Sequence, residues 1–430
     1  MTETLTVLMH DTVAGNLERR ADGRLRFTHA TAYATDPTAT PLSVSMPLDI
    51  ATHTDEVVAP WLRGLLPDND AVLQRWGRQF GVSAGSPFGL LGTPVGEDCA
   101  GAVRFCPPAE VERLLRRAGD IDWLSEAEIA QRIRDLREDG TSWLGRDFRG
   151  QFSLAGAQAK MALHRDGDRW GLPSGSTPTT HILKPAMPGF DGHELNEHLC
   201  LDAARRAGLT AARSSVERFG AESVIVVARY DRVVTSRGLE RIHQEDGCQA
   251  LSIAPARKYQ AEGGPGARDI IGLLRRAIAP LIADTAVGRF IDALIWNWII
   301  AGTDAHAKNT SILLAGREVR LAPMYDIASA LPYGIHERKL RLAMKIGGSY
   351  DLFTLRDRWT RAAAEWVWDA DRLTARVREL IRVTPDVFAE AAMVPAVVAL
   401  GRPGPARLVD AVAARCARLE VQLAAVPPGG

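Results

Sequence analysis

Short runs of alternating apolar and polar residues open the chain. Leu5 to Met9, Gly15 to Arg20 and Arg24 to Thr28 are separated by turns rich in Asp, Asn and Gly, the pattern of successive strands. Val58 to Leu65 and Asp70 to Phe80 read as helices, with Pro60 early in the first and Gly81 just past the second. Gly96 to Pro107 regains strand character, and Leu124 to Leu136 is an amphipathic helix of mixed charge.

From Phe152 the pattern changes. "FSLAGAQAKMAL" reads as strand, small-residue loop and strand, and "RWGLP" and "THILKP" as two further strands. Leu195 to Ala207 has one apolar side and stops at Gly208, whereas "ESVIVVARYDR" holds the unbroken apolar run of a buried strand. Past about Arg241 helices dominate: Asp269 to Ala279, Val287 to Ile300, Trp359 to Trp368, Ala370 to Val383 and Leu408 to Leu423. Between them "SILLAGREVRLAPM" forms a hairpin turning at Ala315, Gly316 and Arg317, and only the final "PPGG" reads as disordered. The expected organisation is an α+β fold: a β-rich part at 1–148, a second β-rich segment at 149–240, and a helical part at 241–430, with a joint near Tyr230.

Composition narrows the function classes. A 46% hydrophobic and 24% charged chain of 430 residues has enough apolar material for real cores. Its 52 basic and 52 acidic residues balance, so no global field draws it to nucleic acid or membrane. Arg113, Arg116, Arg117 and the stretch from Arg132 to Arg137 cluster, and solvated helix faces are the favoured reading there. The five cysteines are scattered and without zinc-site spacing, which suits reduced thiols in a cytosol. Met1 to Met9 lacks a signal-peptide pattern, and Phe290 to Gly302 is too short and too polar to span a bilayer. A soluble cytoplasmic protein is expected.

Candidate chemistry concentrates in "AGTDAHAKNTSILL". Asp304 follows an apolar helix and a Gly–Thr break, and Asn309 comes five positions later. Phosphoryl transfer needs a carboxylate to orient the attacking hydroxyl and an oxygen ligand for magnesium, and Asp, four residues, then Asn supplies both. Alone, the spacing also describes a polar turn. "LAPMYDIASAL" places Asp326 just after a strand, at the other end of a hairpin from Asn309, so both can reach one hard cation. The plain alternative for Asp326 is a helix N-cap. Lys184, flanked by Ile182 and Leu183, is costly to bury without an anionic partner, unless it faces water on an edge strand. Glu197 is the preferred helix carboxylate to orient it, ahead of Glu194. In "SLAGAQAK" the small residues let backbone amides approach phosphates, although a tight turn explains the string equally well. Trp296 and Trp298 read as core, and His243, His306 and His336 lack metal-ligand spacing.

Taken in order, "PLSVSMPL", "LRGLLPDND", "PFGLLGTPVGEDCAGAV", "FSLAGAQAKMAL", "THILKP", "NEHLCLDAARRAGL", "VVARYDR", "HQEDGCQALSIAPARKY", "WIIAGTDAHAKNTSILL", "LAPMYDIASAL" and "LAMKIGG" resemble the HipA-like serine/threonine kinases over roughly Leu5 to Gly348. The resemblance implies a bilobal protein-kinase-like fold, with a β-rich N-terminal lobe, an extra N-terminal subdomain and a mostly α-helical C-terminal lobe. It implies a type II toxin using ATP and Mg2+, acting on a protein serine or threonine to arrest growth, and neutralised by a small helix-turn-helix DNA-binding antitoxin. The substrate class it suggests is an aminoacyl-tRNA synthetase, with DNA met mainly through the antitoxin.

Residue by residue, the resemblance makes Asp304 the base, Asn309 and Asp326 the metal ligands and Lys184 the phosphate-contacting lysine. Leu154, Ala155, Gly156, Ala157, Gln158, Ala159 and Lys160 become the phosphate loop, and Ala228, Arg229 and Tyr230 the adenine-receiving hinge. His306, Ala307, Lys308 and Asn309, with Tyr325, Asp326, Ile327 and Ala328, would line the nucleotide. Ser153 would be the autophosphorylation site. Ala159 and Ala228 depart from the polar or acidic residues usual there, which affects side chains rather than the backbone contacts. Two rival functions remain: a small-molecule or lipid-head-group kinase, and a co-repressor that acts with the antitoxin on operator DNA.

Overall fold

A computed structural model describes residues 2–116, 119–147, 149–187, 189–236, 238–353 and 357–424. Arg117 and the terminal "PPGG" lie outside these. The chain divides into two compact units that do not follow chain order. One comprises Met1–Pro185, Arg218–Ala256 and Ser311–Arg320, and the other Ala186–Glu217, Arg257–Thr310 and Leu321–Gly430.

The first unit is built on sheets. The strands Glu3–Met9, Thr12–Arg19 and Leu25–His29 appear where alternation places them, and Thr52–His53 and Val103–Cys106 complete a five-stranded sheet. Only Val103–Cys106 of the expected Gly96–Pro107 strand is extended; Pro94–Glu97 is a 3-10 turn, and Gly101 takes a left-handed φ of 78° that breaks the run. In a second sheet His181–Pro185 is central, with Glu222–Ala228 on one side and Met161–Asp166 on the other. The helix Asp70–Phe80 starts and stops as read: Asn69 accepts from the Ala71 amide at 3.0 Å, and Gly81 closes it with φ 66°. Val7, Phe27, Trp61, Trp76, Phe105, Trp143 and Leu183 share one continuous core.

One string left without a role proves to be scaffolding. In "HQEDGCQAL", His243 is wholly buried and bonds the Leu42 carbonyl at 2.8 Å, Asp246 caps the turn Gly247–Ala250, and Gln249 donates to the Trp61 carbonyl at 2.9 Å. Such a string stitches a distant strand to the opening segment. The arginine cluster is ion-paired rather than a free basic face: Arg113 with Glu97 and Glu110, Arg116 with Glu112, Arg132 with Asp147, and Arg137 with Glu222.

Glu245 in the same string accepts the Val44 amide at 2.8 Å, and burial pushes its carboxyl up to about 8. The folded protein holds a proton there that the unfolded chain has already released at an ordinary carboxylate pH. This group's contribution therefore destabilises progressively as pH rises from about 4.5 to about 8, and is constant above that. Glu245→Gln removes the effect. Its melting temperature is expected to match the wild type near about pH 4.5 and to exceed it increasingly toward about pH 8. A difference independent of pH would contradict a protonated Glu245.

The second unit is mostly helical. Pro280–Ile299 is its central helix, beginning with Pro280 in the first turn and burying Trp296 and Trp298 completely. Trp298 meets Trp359 edge-on at 5.0 Å and Trp296 stacks on Phe388 at 5.9 Å, so both are core. The helix expected over Ala370 to Val383 runs on to Ala392 through Pro385. Pro385 removes one backbone donor, but Leu380, Ile381, Val387, Phe388 and Ala391 keep one buried face across it, and that packing wins over propensity.

Candidate active site

The expected site residues fall in both units. In the first unit the segment before the small-residue loop is not the strand expected. Ser153 forms an isolated bridge with Cys99 and Gly156 another with Pro67, because the chain there is pinned by neighbouring loops rather than by a ladder. The Asp68 amide donates to Gly156 O at 3.0 Å. Lys160 closes the loop on itself, its Nζ donating to Ala155 O at 2.8 Å while lying 4.5 Å over the Trp143 ring. Gly156 is needed: φ is 100°, and a Cβ there would sit 2.8 Å from Lys160 Nζ. Leu154 is buried, Ala155, Gln158 and Ala159 are half-buried, and Ala157 is exposed. Ser153 is wholly buried, its Oγ donating to Leu65 O at 2.8 Å and its amide to Asp98 O at 2.9 Å.

Lys184 is 6% exposed on the central strand, opposite Ile225, so the water-facing edge position is ruled out. Ala228 pairs with His181 at the end of the ladder. The Arg229 amide donates to Thr180 O at 2.9 Å, and its guanidinium is buried in a network absent from the sequence reading. Asp98 is the hub of that network: it accepts from Thr179 Oγ1 at 2.6 Å and from Arg232 at 2.9 Å, Arg241 at 3.1 Å and Arg229 at 3.4 Å. Asp231 pairs with Arg229 at 2.7 Å and accepts the Gly101 amide at the same distance. Burial alone would push the Asp98 carboxyl up, but Arg232, Arg229 and Arg241 outweigh it and hold it well below the usual carboxylate range. The Tyr230 hydroxyl donates to Gln244.

In the second unit the catalytic-loop candidates converge. The central helix ends at Ile299; Ala301 turns left-handed with φ 54°, and Gly302 packs so close to Asn297 that a Cβ would lie 2.3 Å from its Oδ1. Arg415 caps this end from the C-terminal helix Gly404–Ala424. Its Nε donates to Ile299 O at 2.8 Å and its Nη2 to Trp298 O at 2.9 Å, while Nη1 pairs with Glu337 at 2.6 Å. Asp304 follows, its side chain 62% exposed. Asn309 Nδ2 donates to Asp304 O at 2.7 Å, an orientation that keeps Oδ1 out of this bond. Tyr325 Oη donates to Lys308 O at 2.6 Å, joining the stretch around Asp326 to the loop. His306 is buried and its pKa is lowered, burial outweighing the opposing pull of Asp304. Ala307 and Ile327 are buried and Ala328 is half-buried.

No helix begins at Asp326, which removes the N-cap alternative; the residue is left-handed with φ 56°, a conformation Asp tolerates better than most. Three residues on, the Ser329 peptide is held at both ends by Asn196: Nδ2 donates to Ser329 O at 2.7 Å, and Oδ1 accepts its amide at 2.9 Å. Glu194 pairs with Arg402 at 2.7 Å, and Glu197 is buried. One carboxylate and one amide oxygen suit a hard cation that keeps phosphate and water ligands. Among the described residues no cluster of three or more His, Cys, Asp or Glu offers a self-sufficient metal site. No helix among them is long and apolar enough to cross a membrane.

Sequence reasoning missed Asn196, Tyr259, Asp98 and Arg415. The first three stand inside the quoted strings, but nothing in their spacing marked their partners. Arg415 lies in a helix with no diagnostic string.

An α+β fold whose loops bring Asp304, Asn309 and the Asp326 stretch together has the residue types of a phosphotransferase of the protein-kinase class. The chain belongs to the HipA family: residues 5–106 match the HipA N-terminal domain and residues 152–388 the HipA-like C-terminal domain. It is 33% identical over 391 residues to a putative kinase, Y4mE, of Sinorhizobium fredii, covering 90% of this chain and 91% of that protein. It is 31% identical over 361 residues to the serine/threonine-protein kinase toxin HipA of Shewanella oneidensis, covering 80% of this chain and 79% of that one. The fold matches a chain in a Shewanella oneidensis complex of HipA, HipB and operator DNA with TM-score 0.81 and 24% identity, covering 96% of this chain and 97% of that one.

Proposed function

We propose that this protein is a toxin kinase that transfers the γ-phosphoryl group of Mg2+-bound ATP to a serine or threonine of a protein, with Asp304 as base. The observation that carries the reading is the convergence of Asp304, Asn309 and the Asp326 stretch in one hydrogen-bonded loop assembly. Asn309 Oδ1 and the Asp326 carboxylate would hold the cation, which would screen the phosphate charge. Asp304 takes the acceptor proton as the hydroxyl oxygen attacks phosphorus and ADP leaves. Lys184 neutralises phosphate charge, the 154–160 loop offers its amides, and 228–230 receives adenine. The protein works in the cytoplasm, restrained by a helix-turn-helix antitoxin through which it meets DNA, with an aminoacyl-tRNA synthetase as the substrate class. The family's implied domains, 1–148, 149–240 and 241–430, are part of this reading.

Ser153 is the proposed self-modification site, and its burial gives the modification a consequence. A phosphate brings about −1.5 to −2 charges and cannot occupy the space of a hydroxyl bonded to Leu65 O, so the loop must leave. Purified protein incubated with Mg2+ and ATP is expected to carry one phosphate on Ser153 by peptide mass spectrometry, and then to bind ATP at least about tenfold more weakly. Absence of both ATP binding and phosphate would overturn the kinase reading in favour of a binding module. Phospho-Ser153 protein that binds ATP as tightly as before would overturn the switch alone.

A further inference from the structure

We infer that Tyr259 is the residue that orients the base, an inference resting on the reading of Asp304 above. Asp304 stands on an exposed loop, its side chain 62% open to solvent. The Tyr259 hydroxyl donates to its Oδ1 at 2.5 Å, and His306 Nε2 lies 3.9 Å from the same oxygen. Both contacts fall on one oxygen, so Oδ2 faces the acceptor hydroxyl. A base must itself be oriented by a third group to act efficiently.

Tyr259 is in turn held. Its ring meets His306 edge-on at 4.9 Å, and the preceding Lys258 carbonyl accepts the Ala307 amide at 3.3 Å. Its own carbonyl accepts from Glu262 and Gly264, both at 3.0 Å. Gly264 closes that turn so tightly that a Cβ would lie 1.9 Å from Arg257 O. The next residue, Gln260, accepts the Lys345 amide at 2.7 Å. Labour is divided: Asn309 fixes the peptide of Asp304, and Tyr259 fixes its carboxylate. Tyr259 is a positioning residue, since it acts through Asp304.

Tyr259→Phe keeps the ring against His306 and removes only the hydroxyl. Phosphoryl transfer to the protein itself and to casein is expected to slow about 10- to 100-fold in kcat, with ATP affinity and melting temperature unchanged. A crystal structure of the variant is expected to show Asp304 in more than one rotamer, a readout independent of turnover. Wild-type kcat, a parallel loss of ATP affinity, or a single unchanged Asp304 rotamer would each overturn the inference. Inactive Asp304→Asn beside fully active Tyr259→Phe would remove Tyr259 and leave the base; wild-type transfer by Asp304→Asn would remove the base itself.

Discussion

Asp304→Asn is expected to slow phosphoryl transfer by about 10³-fold while ATP binding stays within about twofold of wild type. The substitution is nearly isosteric, and the main-chain bonds survive it: Asp304 O still accepts from Asn309 Nδ2 and from the His306 amide. An Asn oxygen also still accepts from Tyr259. What disappears is the capacity to take a proton and the negative charge that draws the acceptor hydroxyl into line. Because Asn309 and Asp326 are untouched, the cation and nucleotide are expected to bind as before. Single-turnover transfer from radiolabelled ATP measures the first quantity and calorimetric titration the second. Loss of both together would mean that the loop had collapsed, and loss of neither would place the base elsewhere.

Asp98→Ala is expected to produce the largest loss of stability, about 3–5 kcal/mol. Asp98 is 3% exposed and is the common acceptor for Arg229, Arg232 and Arg241, which are themselves almost completely buried. Asp231 still pairs with Arg229 and Arg232, but one carboxylate then faces three guanidinium charges in a medium that solvates them poorly. The damage reaches the candidate site because Arg229 belongs to the hinge candidate and Ser153 donates to Asp98 O. The carboxyl is held below its unfolded pKa, so its stabilisation is complete above about pH 4 and is lost as pH falls toward the folded value. Denaturant unfolding at pH 7 tests the magnitude. A loss below about 1 kcal/mol would mean that solvent reaches the arginines and screens them. Repeating the comparison at lower pH tests the sign, since the gap between wild type and variant must narrow.

Most of the site chemistry was legible because it is local. Asp304, Asn309 and Asp326 lie within one loop–hairpin–loop stretch, so their spacing survives in the linear chain. The strands Glu3–Met9, Thr12–Arg19 and Leu25–His29 were legible for the same reason, since alternation is a property of neighbours. The errors have a common origin in packing. Phe152 to Leu154 looks like a strand by composition, yet Ser153 is pinned by its hydroxyl to Leu65 O and by its amide to Asp98 O. Pro385 looks like a helix end, yet the buried face continues across it.

By itself, then, the chain determined which residues carry charge and oxygen donors, and at what local spacing, because periodicity and motif are written in adjacent positions. Only tertiary structure decided what holds them. Tyr259 meets Asp304 across 45 residues, Arg415 meets Ile299 across 116, and Arg229 meets Asp98 across 131. A hydrogen bond across such a separation imposes no period and no composition on the intervening sequence. It becomes readable once folding has closed the loop and removed the water that would otherwise satisfy both partners.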